Sequence, residues 1–231
     1  ATNGSVAETV KKRGKKPDSD VFIVRTSPKA IKAQIKADSS LKRGKSYLVG
    51  YIGVMGNADG VDFLIDAAKV LVKDRNRHDI QFLIMGTGPE YASLVSKRDQ
   101  YGLEDFVDMP GRVSEDLLAR GLQTMDIGIG CDPINPYNDH CTMNKTLEYM
   151  AFSKPQVMFG IHEGRLSAGD AALYIMENSS EKLADGIEAL LADPIQRQQM
   201  GKLGFERLNE DLSWEKSTQH LVAAYNRIRN K

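Results

Sequence analysis

Residues 47–72 read YLVGYIGVMGNADGVDFLIDAAKVLV, and this stretch decides the fold. Its first seven residues are apolar and β-rich, and they run into a glycine cluster at 53–60. Beyond it Val61, Leu64, Ile65, Ala68, Leu71 and Val72 recur at helical spacing, which places them on one helix face. A strand that turns through glycines into an amphipathic helix opens a βαβ unit. The alternation continues outward. Strands are expected at 80–85, 106–109, 127–130, 156–159 and 172–175. Helices are expected at 90–101, 115–122, 144–152, 181–191, 195–207 and 214–229. Such alternation requires parallel pairing through crossovers, with helices on both faces. The expected fold class is α/β, a doubly wound, Rossmann-like parallel sheet followed by C-terminal helices.

Residues 1–45 break the repeat. A short helix is expected at 5–12, a strand at 21–25 (VFIVR) and a polar connector at 28–45. One strand and one short helix cannot enclose a core, so residues 1–20 read as the tail of a preceding domain. This segment carries 12 Lys and Arg against 4 Asp and Glu, while the remainder carries 19 against 27. Its single aromatic, Phe22, gives no stacking platform, so nucleic acid is not an expected partner. A solvated basic face or an incomplete interface fits it, and an anionic membrane surface is a further partner it admits.

The composition excludes other classes. At 231 residues, 41% hydrophobic and 27% charged with zero net charge, the chain can bury a core and is not a disordered polymer. No run approaches ~18 uncharged apolar residues, and the N-terminus lacks the apolar stretch of a secretory signal. Cys131 and Cys141 read as packed thiols in a reducing compartment, and four histidines give no zinc-finger spacing. Asp18-Ser19-Asp20 precedes a strand instead of following one, so no metal site is expected. The localisation read from these features is cytoplasmic.

In a doubly wound sheet, ligands bind outside the carboxyl ends of the strands, here 53–60, 86–89, 110–114, 131–144 and 160–169. Gly53, Val54, Met55 and Gly56 lie at the first exit, where backbone amides can hold phosphate or simply form a tight turn. Gly86 and Gly88 allow the same two readings, with Pro89 opening a helix. Residues 135–152, NPYNDHCTMNKTLEYMAF, are the most informative. Leu147, Met150 and Ala151 form an apolar stripe, with Asn144, Lys145 and Glu148 on the other face. The helix start, placed near Thr142, offers the amides of Met143 and Asn144 to an anion. Lys145 adds a positive charge there, and the Glu148 carboxylate can accept from two vicinal hydroxyls. Phosphate at the helix start and ribose further along suit a nucleoside diphosphate; a solvated Lys145–Glu148 pair is the plainer alternative. Arg165 reads as a surface residue, and Trp214, behind the cap Ser213, as an anchoring aromatic.

Taken in order, YLVGYIGVMGNADGVDFLIDAA, QFLIMGTGPEY, FVDMPGRV, MNKTLEYMAFSKPQVMF and DLSWEKS resemble the C-terminal, donor-binding domain of retaining glycosyltransferase family 4, the group 1 transferases of GT-B fold. The resemblance implies a missing N-terminal acceptor domain with its tail at 1–20, and a crossover strand and connector at 21–45. It implies a nucleotide-sugar-binding domain at 46–210 and a C-terminal crossover helix at 211–231. The donor substrate implied is a nucleoside diphosphate sugar, with no cofactor and no metal. Glu148 matches the second Glu of the family's paired motif, which holds the ribose. The first Glu falls at His140, and the family's phosphate-gripping Arg and Lys fall at Val54 and Asp59. Lys145 is then expected to replace those cations, which makes His140 and Lys145 the catalytic candidates. Gly111, Arg112 and Val113, in PGRV, match the segment that reads the base.

The activity implied is hexosyl transfer to an acceptor hydroxyl, in cell-surface polysaccharide synthesis at the inner face of the membrane. Residues 1–231 alone are expected to be inactive. A GT-B epimerase and a non-catalytic nucleotide-binding domain are the alternatives.

Overall fold

A computed structural model of the chain describes residues 1–28 and 35–229. Six parallel strands, β1 (Tyr47–Ile52), β2 (Ile80–Met85), β3 (Val107–Gly111), β4 (Ile127–Gly130), β5 (Gln156–Phe159) and β6 (Ala172–Ile175), form one sheet. Its order is β3-β2-β1-β4-β5-β6, so the winding reverses between β1 and β4 and leaves a crevice at their carboxyl ends. The expected α/β, doubly wound class is the one observed.

Both faces of the sheet are covered, which explains the nearly unbroken apolar strands. Val49, Tyr51, Phe82, Ile84 and Ile129 pack on one side against α2 (Val61–Lys69), α3 (Tyr91–Gln100) and α7 (Ser180–Ala192). Leu48, Ile52, Leu83 and Met85 point to the other side. There they meet Leu122 of α4 (Glu115–Thr124), Met125, and Tyr149 of α5 (Asn144–Ala151). Leu147, Met150 and Ala151 of α5 also rest on Leu208 and Leu212, in and just beyond α8 (Pro194–Asp211). This second packing fixes the rotation of α5 about its own axis.

The helix expected at 5–12 is α1 (Gly4–Gly14), capped where the Asn3 side chain accepts from the Val6 amide at 2.8 Å. It docks on the strand exits. Asn3 Nδ2 donates to the His140 carbonyl at 2.8 Å and to Thr142 Oγ1 at 2.9 Å, and the Ser5 amide donates to the buried Glu163 carboxylate at 2.8 Å.

Four expectations need correction. Residues 21–25 are extended but belong to no sheet; the Val21 amide donates to the Asp18 carbonyl, the Val24 amide to the Ala1 carbonyl, and the Phe22 carbonyl accepts from the Ala1 ammonium. Helix α6 (His162–Ala168) was not foreseen, because the face it buries is Glu163, Gly164, Ser167 and Ala168, which has no apolar periodicity. Helix α5 starts at Asn144 with Met143 as its cap, not near Thr142, whose hydroxyl is taken by Asn3. Trp214 opens α9 (Trp214–Arg229) but is 49% exposed, so its ring is not anchored in a core. Residues 29–34 of the expected connector lie outside the described residues.

Candidate functional site

The crevice between β1 and β4 is built from the loop 53–60, the segment 131–143 and the first turn of α5. Lys145 sits at its centre, 8% exposed. Its ammonium donates to both oxygens of Asp132, at 2.7 and 2.9 Å, and lies 5.0 Å from the centre of the Tyr51 ring. Asp59 Oδ1 stands 3.9 Å away. Asp132 lies two residues beyond β4 and is 2% exposed; burial pushes its carboxyl up, while Lys145 pulls it down. A helix turns about 100° per residue, so Lys145 faces the sheet while Asn144 faces outward. The solvated Lys145–Glu148 pair is thus replaced by a buried Lys145–Asp132 pair.

Several of the loop's amides are already engaged by the protein. Gly53 N donates to Met85 O and Met55 N to Thr87 O, each at 3.1 Å, and Gly56 N donates to Asp59 Oδ2 at 2.9 Å. Among the described residues the Val54 amide has no acceptor, and the Val54 side chain is exposed. The glycines at the second exit serve this contact: a Cβ at Gly86 would collide with the Gly53 carbonyl, and one at Gly88 with the Met55 backbone. The tight-turn reading therefore accounts for Gly53, Met55, Gly86 and Gly88.

Glu148 lies one turn beyond Lys145 and points elsewhere. It is half-buried and lines a cavity of about 400 Å³ with Leu118, Leu122, Leu147, Phe152 and Asn144. Its carboxylate meets no donor among the described residues, and burial pushes it above the ordinary 4.5, with Lys145 opposing. Asn144, whose Oδ1 accepts from the Thr26 hydroxyl at 2.8 Å, closes one side. Val113, behind β3, packs on the core beneath α4. Arg112 beside it is exposed and makes no ion pair among the described residues.

His140 lines a different space, a cleft of about 810 Å³ between α1 and the exits of β4 and β5, together with Lys12, Arg13, His162 and Arg165. Its Nδ1 donates to the Pro136 carbonyl at 2.7 Å. The two residues expected to be catalytic do not converge, since Lys145 turns inward and His140 outward. Among the described residues no cluster of His, Cys, Asp or Glu could hold a metal ion. Asp18 and Asp20 are engaged by Lys11 and Arg227.

A family model described as glycosyl transferases group 1 matches residues 46–193, well over half of the chain. The chain belongs to this family. The α-D-kanosaminyltransferase of Streptomyces kanamyceticus is 27% identical over 157 residues, which take in 67% of this chain and 39% of that protein. TarM of S. aureus, solved with fondaparinux, α-GlcNAc-glycerol and UDP, superposes with a TM-score of 0.78 at 18% identity, over 97% of this chain and 43% of its own. Anabaena HepE, solved with UDP, gives 0.72 at 15% identity, over 97% and 62%. This group 1 glycosyl transferase chain therefore spans 39–62% of the length of these relatives, and the structural likenesses show its fold.

Two residues of this candidate site gave little sign of their place in the sequence. Asp132 is 13 positions before Lys145, too far for local spacing to pair them; its signal was a lone carboxylate two residues beyond a buried strand at the switch point. Asn3 showed only the Asn-x-x pattern of a helix cap, not its second task of holding the 140–142 loop.

Proposed function

We propose that the chain is the donor-binding part of a nucleotide-sugar-dependent, retaining glycosyltransferase, moving a hexosyl unit from a nucleoside diphosphate to an acceptor hydroxyl. One observation carries this reading: Glu148 is a half-buried carboxylate with no protein donor among the described residues, set in the wall of a cavity with apolar sides at Leu118, Leu122 and Phe152. Burying such a group without a partner costs stability, and vicinal ribose hydroxyls supply the two donors it lacks. The apolar walls at Leu118, Leu122 and Phe152 suit a nucleobase, with Gly111, Arg112 and Val113 at its edge. The first turn of α5, with Met143 and Asn144, offers free amides to the phosphates, and Gly53–Gly56 and Thr142 border the same crevice. His140, outside the nucleoside cavity, is the residue proposed to face the transferred sugar.

The acceptor wall belongs to a part of the protein outside residues 1–231, as the chain's share of its relatives' length suggests. The domain limits, 1–20, 21–45, 46–210 and 211–231, carry over as part of this proposal. So do work at the inner face of the membrane, from the cytoplasmic side, and a place in polysaccharide synthesis. Among the described residues no helix is long and apolar enough to cross a membrane, and the basic face of α1 is the surface proposed to meet lipid. Alone, residues 1–231 bind the donor and transfer nothing, because the hydroxyl is not aligned and water is not excluded.

Calorimetric titration with UDP and GDP tests the reading. Glu148→Ala should cost about 1.5–3 kcal/mol of binding, roughly ten- to a hundredfold in Kd. Unchanged affinity in a folded variant would place the ribose elsewhere.

A further inference from the structure

The crevice beside α5 carries an excess of negative charge exactly where the donor reading puts phosphate. One cation, Lys145, faces two carboxylates. Asp132 holds it through two hydrogen bonds and is itself 2% exposed, so this pair is fixed. Asp59 is placed differently. Its Oδ1 stands 3.9 Å from the ammonium, its Oδ2 accepts from the Gly56 amide at 2.9 Å, and its side chain is 25% exposed. A carboxylate that shares an ammonium and a glycine-loop amide makes the contacts a phosphate oxygen would make in that position.

We propose that Asp59 is a built-in competitor for the donor's phosphates, seated on the Gly56 amide beside Lys145 and displaced when a diphosphate enters. The inference rests on the donor reading of the crevice. Swinging out is a side-chain rotation toward the solvent that already reaches Asp59, 25% exposed. The move releases the Gly56 amide, two residues from the unpartnered Val54 amide, and it removes one negative charge from the neighbourhood of Lys145. When the nucleotide leaves, Asp59 takes the amide back. The site therefore holds a free diphosphate weakly and discharges it readily, as turnover by a transferase requires.

The test measures affinities of the 231-residue chain for uridine and guanosine and for their mono- and diphosphates, in wild type, Asp59→Asn, Asp59→Ser and Glu148→Ala. Asparagine keeps the size and the acceptor for Gly56 N while removing the charge. Serine keeps a short capping oxygen, and melting temperatures identify any variant that fails to fold. Removing a like charge at this range is expected to tighten the diphosphate about tenfold, the monophosphate less, and the nucleoside not at all. Added salt should shrink the gain. A diphosphate affinity that is unchanged or weaker in both folded Asp59 variants would make the carboxylate a plain turn cap and overturn the proposal. An equal gain for nucleoside and diphosphate would overturn it too. Loss of binding in Glu148→Ala would, in either of those cases, leave the donor reading standing. Absence of nucleotide binding in wild type and in all variants would end both.

Discussion

Lys145 and Glu148 stand three residues apart on one helix, and their charges meet opposite surroundings. Lys145 is enclosed, held by Asp132 with Asp59 close by. Glu148 is desolvated as well, yet its carboxylate is left with a cavity instead of a partner. The contrast separates two uses of a buried charge. A satisfied pair fixes geometry, here the first turn of α5 against the exit of β4. A half-buried group without a protein donor stays open to a ligand that brings matching donors.

The largest effect should come from breaking the satisfied pair. Lys145→Met leaves Asp132 buried and unpaired, and removing one partner of such a pair costs about 3–5 kcal/mol of stability. Urea unfolding would show it, and Lys145→Met with Asp132→Leu should recover most of the loss. A single variant as stable as wild type would mean the pair is not enclosed.

The next effect concerns Glu148 and pH. Its carboxyl is raised by burial, so the native state keeps the proton to a higher pH than the unfolded chain. Stability therefore falls as pH rises from the ordinary 4.5 through the raised value. Nucleotide binding runs the other way, because only the ionised carboxylate accepts from both ribose hydroxyls. Affinity should drop toward tenfold per pH unit below the raised value, and Glu148→Gln should flatten that profile while being more stable than wild type at neutral pH. A sloped profile surviving in Glu148→Gln would assign the dependence to another group.

Asn3→Ala tests whether α1 is part of the site's framework. Loss of the cap and of two bonds to the 140–142 loop should cost about 1–2 kcal/mol, with increased amide exchange at His140 and Thr142. The smallest change is expected at Trp214. Half exposed, it should tolerate alanine within about 0.5 kcal/mol in the isolated chain.

The same contrast explains what could be read from the sequence. Strands such as 80–85, 127–130, 156–159 and 172–175 match the structure residue for residue, because a short, mostly apolar run between turn or helix signals marks a sheet strand whether it is buried on both faces, as at 80–85, or only in part, as at 172–175. The helix that carries Glu148 was legible because its apolar stripe and polar neighbours lie within two turns. The partner of Lys145 was not, since the 13 residues up to Asp132 pass through an irregular loop with no period to follow. Helix α6 was hidden because it buries Glu163, whose partner is the amide of Ser5, 158 positions away. Residues 21–25 misled in the opposite sense: a β-rich run predicts extension, but nothing local says whether a sheet edge waits for it.

The central claim is that the cavity at Glu148 takes the nucleoside of the donor. The most direct measurement is a crystal structure of the chain grown with saturating UDP or GDP. The account predicts the ribose hydroxyls on the Glu148 carboxylate, the base between α4 and Phe152, and the phosphates turned toward the first turn of α5. A nucleotide lodged instead in the cleft beside His140 and α1, with the Glu148 cavity empty, would contradict it.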